Sequence, residues 1–356
     1  MKARRGDHMS GLTHRDLYRI YLSWPEKILE SLSREPENCS HQVKGIGKIV
    51  IAGIGGSGVP GRILEAYSIG SGHPPHIWSV GGVYIDPRLD LEGVASICVS
   101  YSGTTVETIE IFDGFSTKGV GIGVVTGGGR LLEIAMKRSL PLYRLNPGSL
   151  PRLELPTMMV GIVKISKCLG APLEIEDSLR EASSVMARDR AYIEELGREI
   201  ADKALKSYSD GKRIAIAATQ PYYPLIHRIR SELSENTSLP SEPIEIPEMG
   251  HNQVASLRSG RGSLVINIVD RDRWEDLAVE GYFKRLSEIY PEIEVAVISP
   301  PQGVSYIAKA LYISMVIGVA SSILGMDRGL DPSNIPEIKL FREIMYSYYG
   351  SKLSLS

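Results

Sequence analysis

The sequence predicts an α/β protein of two doubly wound domains, each a parallel sheet flanked by helices. Three observations predict it. Short apolar, β-prone runs alternate with helical stretches, the pattern of βαβ units. Two of the early runs end abruptly in loops rich in glycine and hydroxyl residues, each opening a helix. The alternation then restarts beyond a long, charged helical stretch, Ile175 to Tyr208.

In chain order, Asp16 to Ser33 has apolar residues at helical spacing. Lys48 to Ile54 is a compact strand that stops at Gly55-Gly56-Ser57-Gly58, and Gly61 to Ile69 continues as helix. Ala95 to Ser100 is a second β-prone run, followed by Tyr101-Ser102-Gly103-Thr104-Thr105 and a helix over Val106 to Phe115. Val120 to Thr126 is a strand, Gly127 to Gly129 a turn and Leu131 to Arg138 a helix. Pro141 to Pro156 reads as an irregular crossing and Thr157 to Leu169 as an apolar helix. In the second half, strands are expected at Arg213 to Ala218, Ser263 to Val269 and Glu294 to Ile298. Helices are expected at Pro224 to Glu235, Trp274 to Ile289, Ala308 to Leu324 and Ile335 to Tyr348. The resulting domain expectation is a disordered tail over 1–15, with an alternative start at Met9, and a first domain over 16–172. A linking helix follows over 173–210, a second domain over 211–330, and a C-terminal helical segment over 331–356 that packs back on the active site.

Composition excludes several classes. With 40 basic and 42 acidic side chains well mixed, the chain lacks the field that wraps nucleic acid. No apolar signal core stands near the N-terminus. The longest apolar stretch, Tyr312 to Leu324, is broken by serines and a glycine and reads as too short for a membrane span. Cys39, Cys98 and Cys168 form no CxxC pair or Cys/His cluster, so no metal is expected. Cys98 and Cys168 sit in apolar runs and read as small core residues rather than nucleophiles, a usage that fits a reducing cytoplasm.

The loop Gly53-Ile54-Gly55-Gly56-Ser57-Gly58 satisfies G-x-G-x-x-G. A dinucleotide site also needs an acid about twenty residues on to hold the ribose. That region is His76-Ile77-Trp78-Ser79-Val80-Gly81-Gly82, without one. A small phosphate fits better. Gly56 and Ser57 follow one strand, and Ser100, Ser102, Thr104 and Thr105 follow another. Parallel strands deliver such loops to one sheet edge, where helix N-termini present unpaired N–H donors. The alternative is that Ser and Thr merely cap helices. Two such loops in one domain favour a phosphate.

These loops resemble the sugar isomerase (SIS) domain family. Gly55-Gly56-Ser57-Gly58 and Ser100-Tyr101-Ser102-Gly103-Thr104-Thr105-Val106-Glu107-Thr108 are similar to its two phosphate-loop signatures, with Thr104 where Asn is common. Pro151-Arg152-Leu153, Glu232-Leu233-Ser234-Glu235-Asn236, Gly250-His251-Asn252 and Lys339 resemble, in order, the archaeal bifunctional phosphoglucose/phosphomannose isomerases. The resemblance covers nearly the whole chain. It implies SIS-type domains and a metal-independent enzyme of glycolysis and gluconeogenesis. That enzyme interconverts glucose 6-phosphate, and mannose 6-phosphate, with fructose 6-phosphate through a cis-enediol. It implies Glu235 as the base, whose pKa a partly dry pocket could raise. Arg152 would steady the enediolate charge. His251 would move the ring-opening proton, from the neighbouring subunit of a homodimer, and Lys339 would assist. Gly56, Ser57, Ser100, Ser102 and Thr105 would bind the phosphate. Ser333, a small hydroxyl residue ahead of Lys339, is the candidate for accepting both C2 epimers.

The sequence also frames the rivals. A phosphosugar sensor without catalysis would have no use for Glu235, His251 and Lys339 together. An amidotransferase would need an N-terminal cysteine nucleophile, and Cys39 lies in no such context. A zinc-type mannose isomerase would need a His/Glu metal cluster. The expected cofactor is none, and the expected partner a sugar phosphate alone, with neither nucleic acid nor membrane.

Overall fold

A computed structural model describes residues 11–39, 45–72, 75–82 and 91–353. Residues 1–10 of the expected tail, with Met9, lie outside the described residues. Helix α1 (His14–Leu22) starts two residues before the expected Asp16 because Thr13 builds a capping box. Its Oγ1 accepts from the Asp16 N–H, and the Asp16 carboxylate accepts from the Thr13 N–H at 2.8 Å. Next come α2 (Trp24–Ser33), β1 (Lys48–Ala52), α3 (Val59–Ser71), β2 (His76–Val80), β3 (Val94–Ser100), α4 (Val106–Ser116) and β4 (Gly121–Thr126). Then α5 (Gly129–Lys137), β5 (Leu142–Arg144) and α6 (Leu155–Cys168) complete the first half. The second half holds α7 (Glu176–Arg188), α8 (Arg190–Ser209), β6 (Arg213–Thr219), α9 (Tyr223–Thr237), β7 (Glu242–Ile246), β8 (Ser263–Ile268), α10 (Trp274–Ile289), β9 (Ile293–Ile298), α11 (Tyr306–Asp327) and α12 (Pro336–Leu353). The α/β class holds in both halves. Strands β2, β5 and β7 were not among the expected elements. The single helix expected over Ile175 to Tyr208 divides at Asp189, whose carboxylate takes both N–H groups of the neighbouring Arg188 fork.

The described chain forms two compact units. The first contains Ser31–Glu174 and Ser333–Ser356. Its sheet runs β2-β1-β3-β4-β5, all parallel. Strand β3 is buried at every residue, as a central parallel strand covered on both faces must be. Val50, Cys98, Phe112, Val124 and Leu142 belong to one cluster of its core. Strand order reverses between β1 and β3, so their following loops flank one crevice at the carboxyl edge. A disulfide joins Cys39 to Cys168 across 129 residues, with Cα atoms 5.0 Å apart. Cys168 is a small buried residue as expected, but it is paired, which cysteine usage fitting a reducing compartment did not lead one to expect. Wide spacing hid the pair, because only the fold brings the two together. Cys98 stays free and buried, and burial pushes its thiol up to about 12.

The second unit contains Thr13–Glu30 and Ile175–Pro332, with the parallel sheet β7-β6-β8-β9. Helix α11 runs through it as a core helix, packed by α1, α7, α8 and α9. It is longer than the expected apolar stretch. By length and composition it could cross a membrane, yet it is buried in the protein along that whole apolar window. A helix apolar on all sides is what such a core position demands.

Candidate active site

In the first unit, β1 ends at Ala52 and the chain makes a 3₁₀ turn, Gly55–Ser57, before α3. Ser57 is buried, and its hydroxyl accepts from the Tyr101 N–H at 3.1 Å. The first loop is thereby tied to the second. Gly56 lies against a second 3₁₀ turn, Pro151–Glu154. A Cβ at Gly56 would come within 3.0 Å of the Arg152 nitrogen and of the Pro151 side chain. Only glycine allows that approach without displacing the backbone that carries Arg152, itself buried.

The second loop leaves β3 at Ser100. The buried Ser100 hydroxyl donates to Thr105 Oγ1 and accepts from the Gly103 N–H, both at 3.1 Å. Ser102 is exposed, and its oxygen accepts from the Thr104 hydroxyl at 3.0 Å. Thr105 is the N-cap of α4 but makes no side-chain cap bond, and Gly58 offers none to α3. The hydroxyls are thus occupied with each other and the loop backbones rather than with capping. Both helices begin with unpaired N–H groups and partial positive charge. Small tetrahedral anions suit such a place.

Tyr101 is a supporting residue that the motif reading passed over. Its hydroxyl donates to the Asn146 carbonyl at 2.7 Å and accepts from the Ser149 N–H at 2.8 Å. It therefore holds the chain just before Arg152. Burial chiefly pushes its phenol up to about 12, so at neutral pH it remains a donor. The signal was its position inside the second loop.

Helix α12 also belongs to the first unit. Its Tyr346 hydroxyl donates to the Thr104 carbonyl of the second loop. Lys339 is exposed and seven residues earlier, on the same helical face, roughly 10 Å along the axis. Ser333 is half-buried, just before the helix. The first unit therefore brings together Gly56, Ser57, Ser100, Ser102, Thr105 and Arg152, with the helix of Lys339 docked on one of the loops.

Glu235 and His251 lie in the second unit. Glu235 is half-buried in the last turn of α9. His251 is exposed at the end of the short turn Glu248–His251. The following Asn252 is held by its amide on Glu248 Oε1 at 2.8 Å. Of the other histidines, His14 is buried at the start of α1 and His227 lies 3.7 Å from Glu245 on α9. His76 opens β2, whereas His8, His41 and His73 fall outside the described residues. Among the described residues, no group of three or more His, Cys, Asp or Glu is placed to hold a metal.

Comparison with known proteins decides the family. Residues 198–345 match the model of the bacterial phospho-glucose isomerase C-terminal SIS domain. The chain is 30% identical to the bifunctional phosphoglucose/phosphomannose isomerase of Aeropyrum pernix, over 91% of this chain and 96% of that one. The chain belongs to the bifunctional phosphoglucose/phosphomannose isomerase family. A member from Aquifex aeolicus is 24% identical, over 83% of this chain and 89% of that one. The family also borders other chemistry. The D-glucosamine-6-phosphate 4-epimerase of Sulfolobus acidocaldarius is 28% identical over 70% of this chain and 76% of its own. The fold is shared with a glucose-6-phosphate isomerase from Chlamydia trachomatis, at TM-score 0.64 and 16% identity. That match covers 94% of this chain and 73% of the other.

Proposed function

We propose that the chain interconverts glucose 6-phosphate and mannose 6-phosphate with fructose 6-phosphate through a cis-enediolate. The observation that supports it most is identity over nearly all of a bifunctional isomerase, together with two interlocked hydroxyl loops at the strand-order switch of the first sheet.

On this reading the substrate phosphate is held by Gly56, Ser57, Ser100, Ser102 and Thr105 and by the N-termini of α3 and α4. Glu235 removes the proton from C2 of the aldose and returns it to C1 while the O2 hydroxyl proton passes to O1, so no proton is lost overall. The intermediate gathers negative charge on oxygen, and the guanidinium of Arg152 offsets it. His251 carries the proton between ring oxygen and O1 during ring opening, with Lys339 assisting. His251 acts from the partner subunit of a homodimer, which fits its exposure on this chain. Ser333 admits both C2 epimers. The enzyme works in the cytoplasm without metal or other cofactor. Disulfides are known inside cells of hyperthermophiles, so Cys39–Cys168 is compatible with that compartment.

The test is direct. EDTA-treated protein is given fructose 6-phosphate, and glucose 6-phosphate and mannose 6-phosphate are both followed, alongside Glu235→Gln. Both products should form, and the variant should lose about a hundred- to ten-thousand-fold in kcat while staying folded. Formation of glucose 6-phosphate alone would remove the role of Ser333. Binding without turnover would favour the sensor. The epimerase likeness supplies a second reading, checked by offering glucosamine 6-phosphate and looking for its 4-epimer.

A further inference from the structure

Glu235 sits in a helix turn that its neighbours hold by buried polar groups. Three residues before it, the Glu232 carboxylate is 1% exposed. One oxygen accepts from the Tyr21 hydroxyl of α1 at 2.6 Å and from Asn236 Nδ2 at 2.9 Å. The other faces Arg228 at 2.8 Å, one turn back on the same helix. The Arg228 guanidinium in turn lies 5.5 Å over the Trp24 ring. Asn236, directly after Glu235, also donates to Ser321 of α11 at 2.9 Å. The turn ends with Arg328 donating to the Thr237 carbonyl. Gly318 of α11 makes room for Tyr21, since a Cβ there would come within 2.3 Å of its ring.

An all-apolar interior would usually stabilise as well as a buried ion pair, because desolvation costs about as much as the pair gains. The last turn of a helix lacks partners for its carbonyls and frays readily. Here both sequence neighbourhoods of Glu235 are fixed to two other helices. We infer that the Tyr21–Glu232–Arg228–Asn236 network is a positioning device that sets the rotation and rise of the last α9 turn, and with it the Glu235 carboxylate. The inference rests on Glu235 being the base. A base must be held within about 0.5 Å of its working position, and displacement by about 1 Å can cost ~100-fold.

The experiment compares two identical chemical changes in the same unit. Tyr21→Phe removes one hydrogen bond to Glu232. Tyr222→Phe removes the 2.6 Å hydrogen bond from a hydroxyl just as buried to Asp270, away from α9's last turn. Both should lower the melting temperature by similar amounts. Only Tyr21→Phe should lower kcat for fructose 6-phosphate, by about ten- to a hundred-fold, with KM within about three-fold. Exchange of the substrate C1 proton with deuterated water should fall in step. Should Tyr21→Phe fail to fold, Ser321→Ala, which removes an acceptor of Asn236 and the Ser321 hydroxyl's bond to the Gly318 carbonyl within α11, is read in its place and should lower kcat at unchanged KM. Full kcat in Tyr21→Phe, or an equal loss in Tyr222→Phe, overturns the inference. Glu235→Gln in parallel separates the two failures. An active Glu235→Gln removes the base and the inference with it, whereas an inactive one beside a fully active Tyr21→Phe removes the inference alone.

Discussion

Gly56 shows how a single missing methyl group can let two turns approach closely. Its Cα faces the backbone of Pro151 and Arg152 at a distance that an alanine Cβ would reduce to 3.0 Å. Contacts that tight force a neighbour to give by a few tenths of an ångström. The neighbours here are backbone and a proline ring, which give reluctantly. Gly56→Ala should therefore push the first hydroxyl loop away from Arg152. The expected result is a several-fold rise in KM for fructose 6-phosphate with a loss of stability of about 1–3 kcal/mol, the range for overpacking. Steady-state kinetics beside thermal melts checks it. An unchanged KM would mean that the loop and the Arg152 turn are not part of one site. The glycine-serine loop stood out in the sequence, but only its pairing with a second hydroxyl-rich loop in the same domain favoured a phosphate over capping. The reason for Gly56 in particular was not legible. It depends on a turn about a hundred residues later in the chain, and no local pattern reports a contact of that range.

At the scale of elements, the helices and strands with a strong apolar pattern were readable from the sequence, and three edge strands were not. Strand β3, buried throughout, and β8, likewise, stood out as continuous apolar runs. Strands β2 and β7 edge their sheets, expose part of one face and begin beside prolines, so neither shows the continuous apolar run of a central strand. Helix α12 was expected over Ile335 to Tyr348, within one residue of its observed start, although its apolar pattern is weak. Leu340, Phe341, Ile344 and Tyr348 leave apolar surface exposed on it, and its amphipathic period is blurred. What docks it in the first unit is the Tyr346 hydroxyl on the Thr104 carbonyl. Tyr346→Phe should loosen that docking, and with it the second hydroxyl loop and the proposed approach of Lys339. KM for fructose 6-phosphate should rise about three- to ten-fold, in line with the ~0.5–1.5 kcal/mol of one hydrogen bond. Protection of the Thr104 to Val106 amides against hydrogen exchange should fall. Unaltered kinetics and exchange would show that α12 is not needed by the loop.

At the scale of the whole molecule, the two units are stabilised by different means. The second is organised around α11, a long apolar helix gripped by four others, and needs no covalent help. The first carries the Cys39–Cys168 bridge, with both ends inside that unit. Closing a loop of 129 residues restricts the unfolded chain, and the chain-entropy limit for that length is ~5 kcal/mol, of which real bridges commonly deliver about 2–4. Reduction, or Cys39→Ser with Cys168→Ser, should therefore lower the melting temperature by about 5–15 °C for a unit of this size. The loss should fall on the first unit. Hydrogen exchange should rise in β1, β3 and β4 while α11 keeps its protection. Fructose 6-phosphate turnover at moderate temperature should survive, because the proposed chemistry gives neither sulfur a role. If reduction leaves the melting curve where it was, the bridge is thermodynamically idle and the first unit is held by its sheet alone. If turnover disappears with reduction at a temperature where the unit stays folded, the bridge acts on the site itself, and the separation between what stabilises this unit and what binds in it has to be given up.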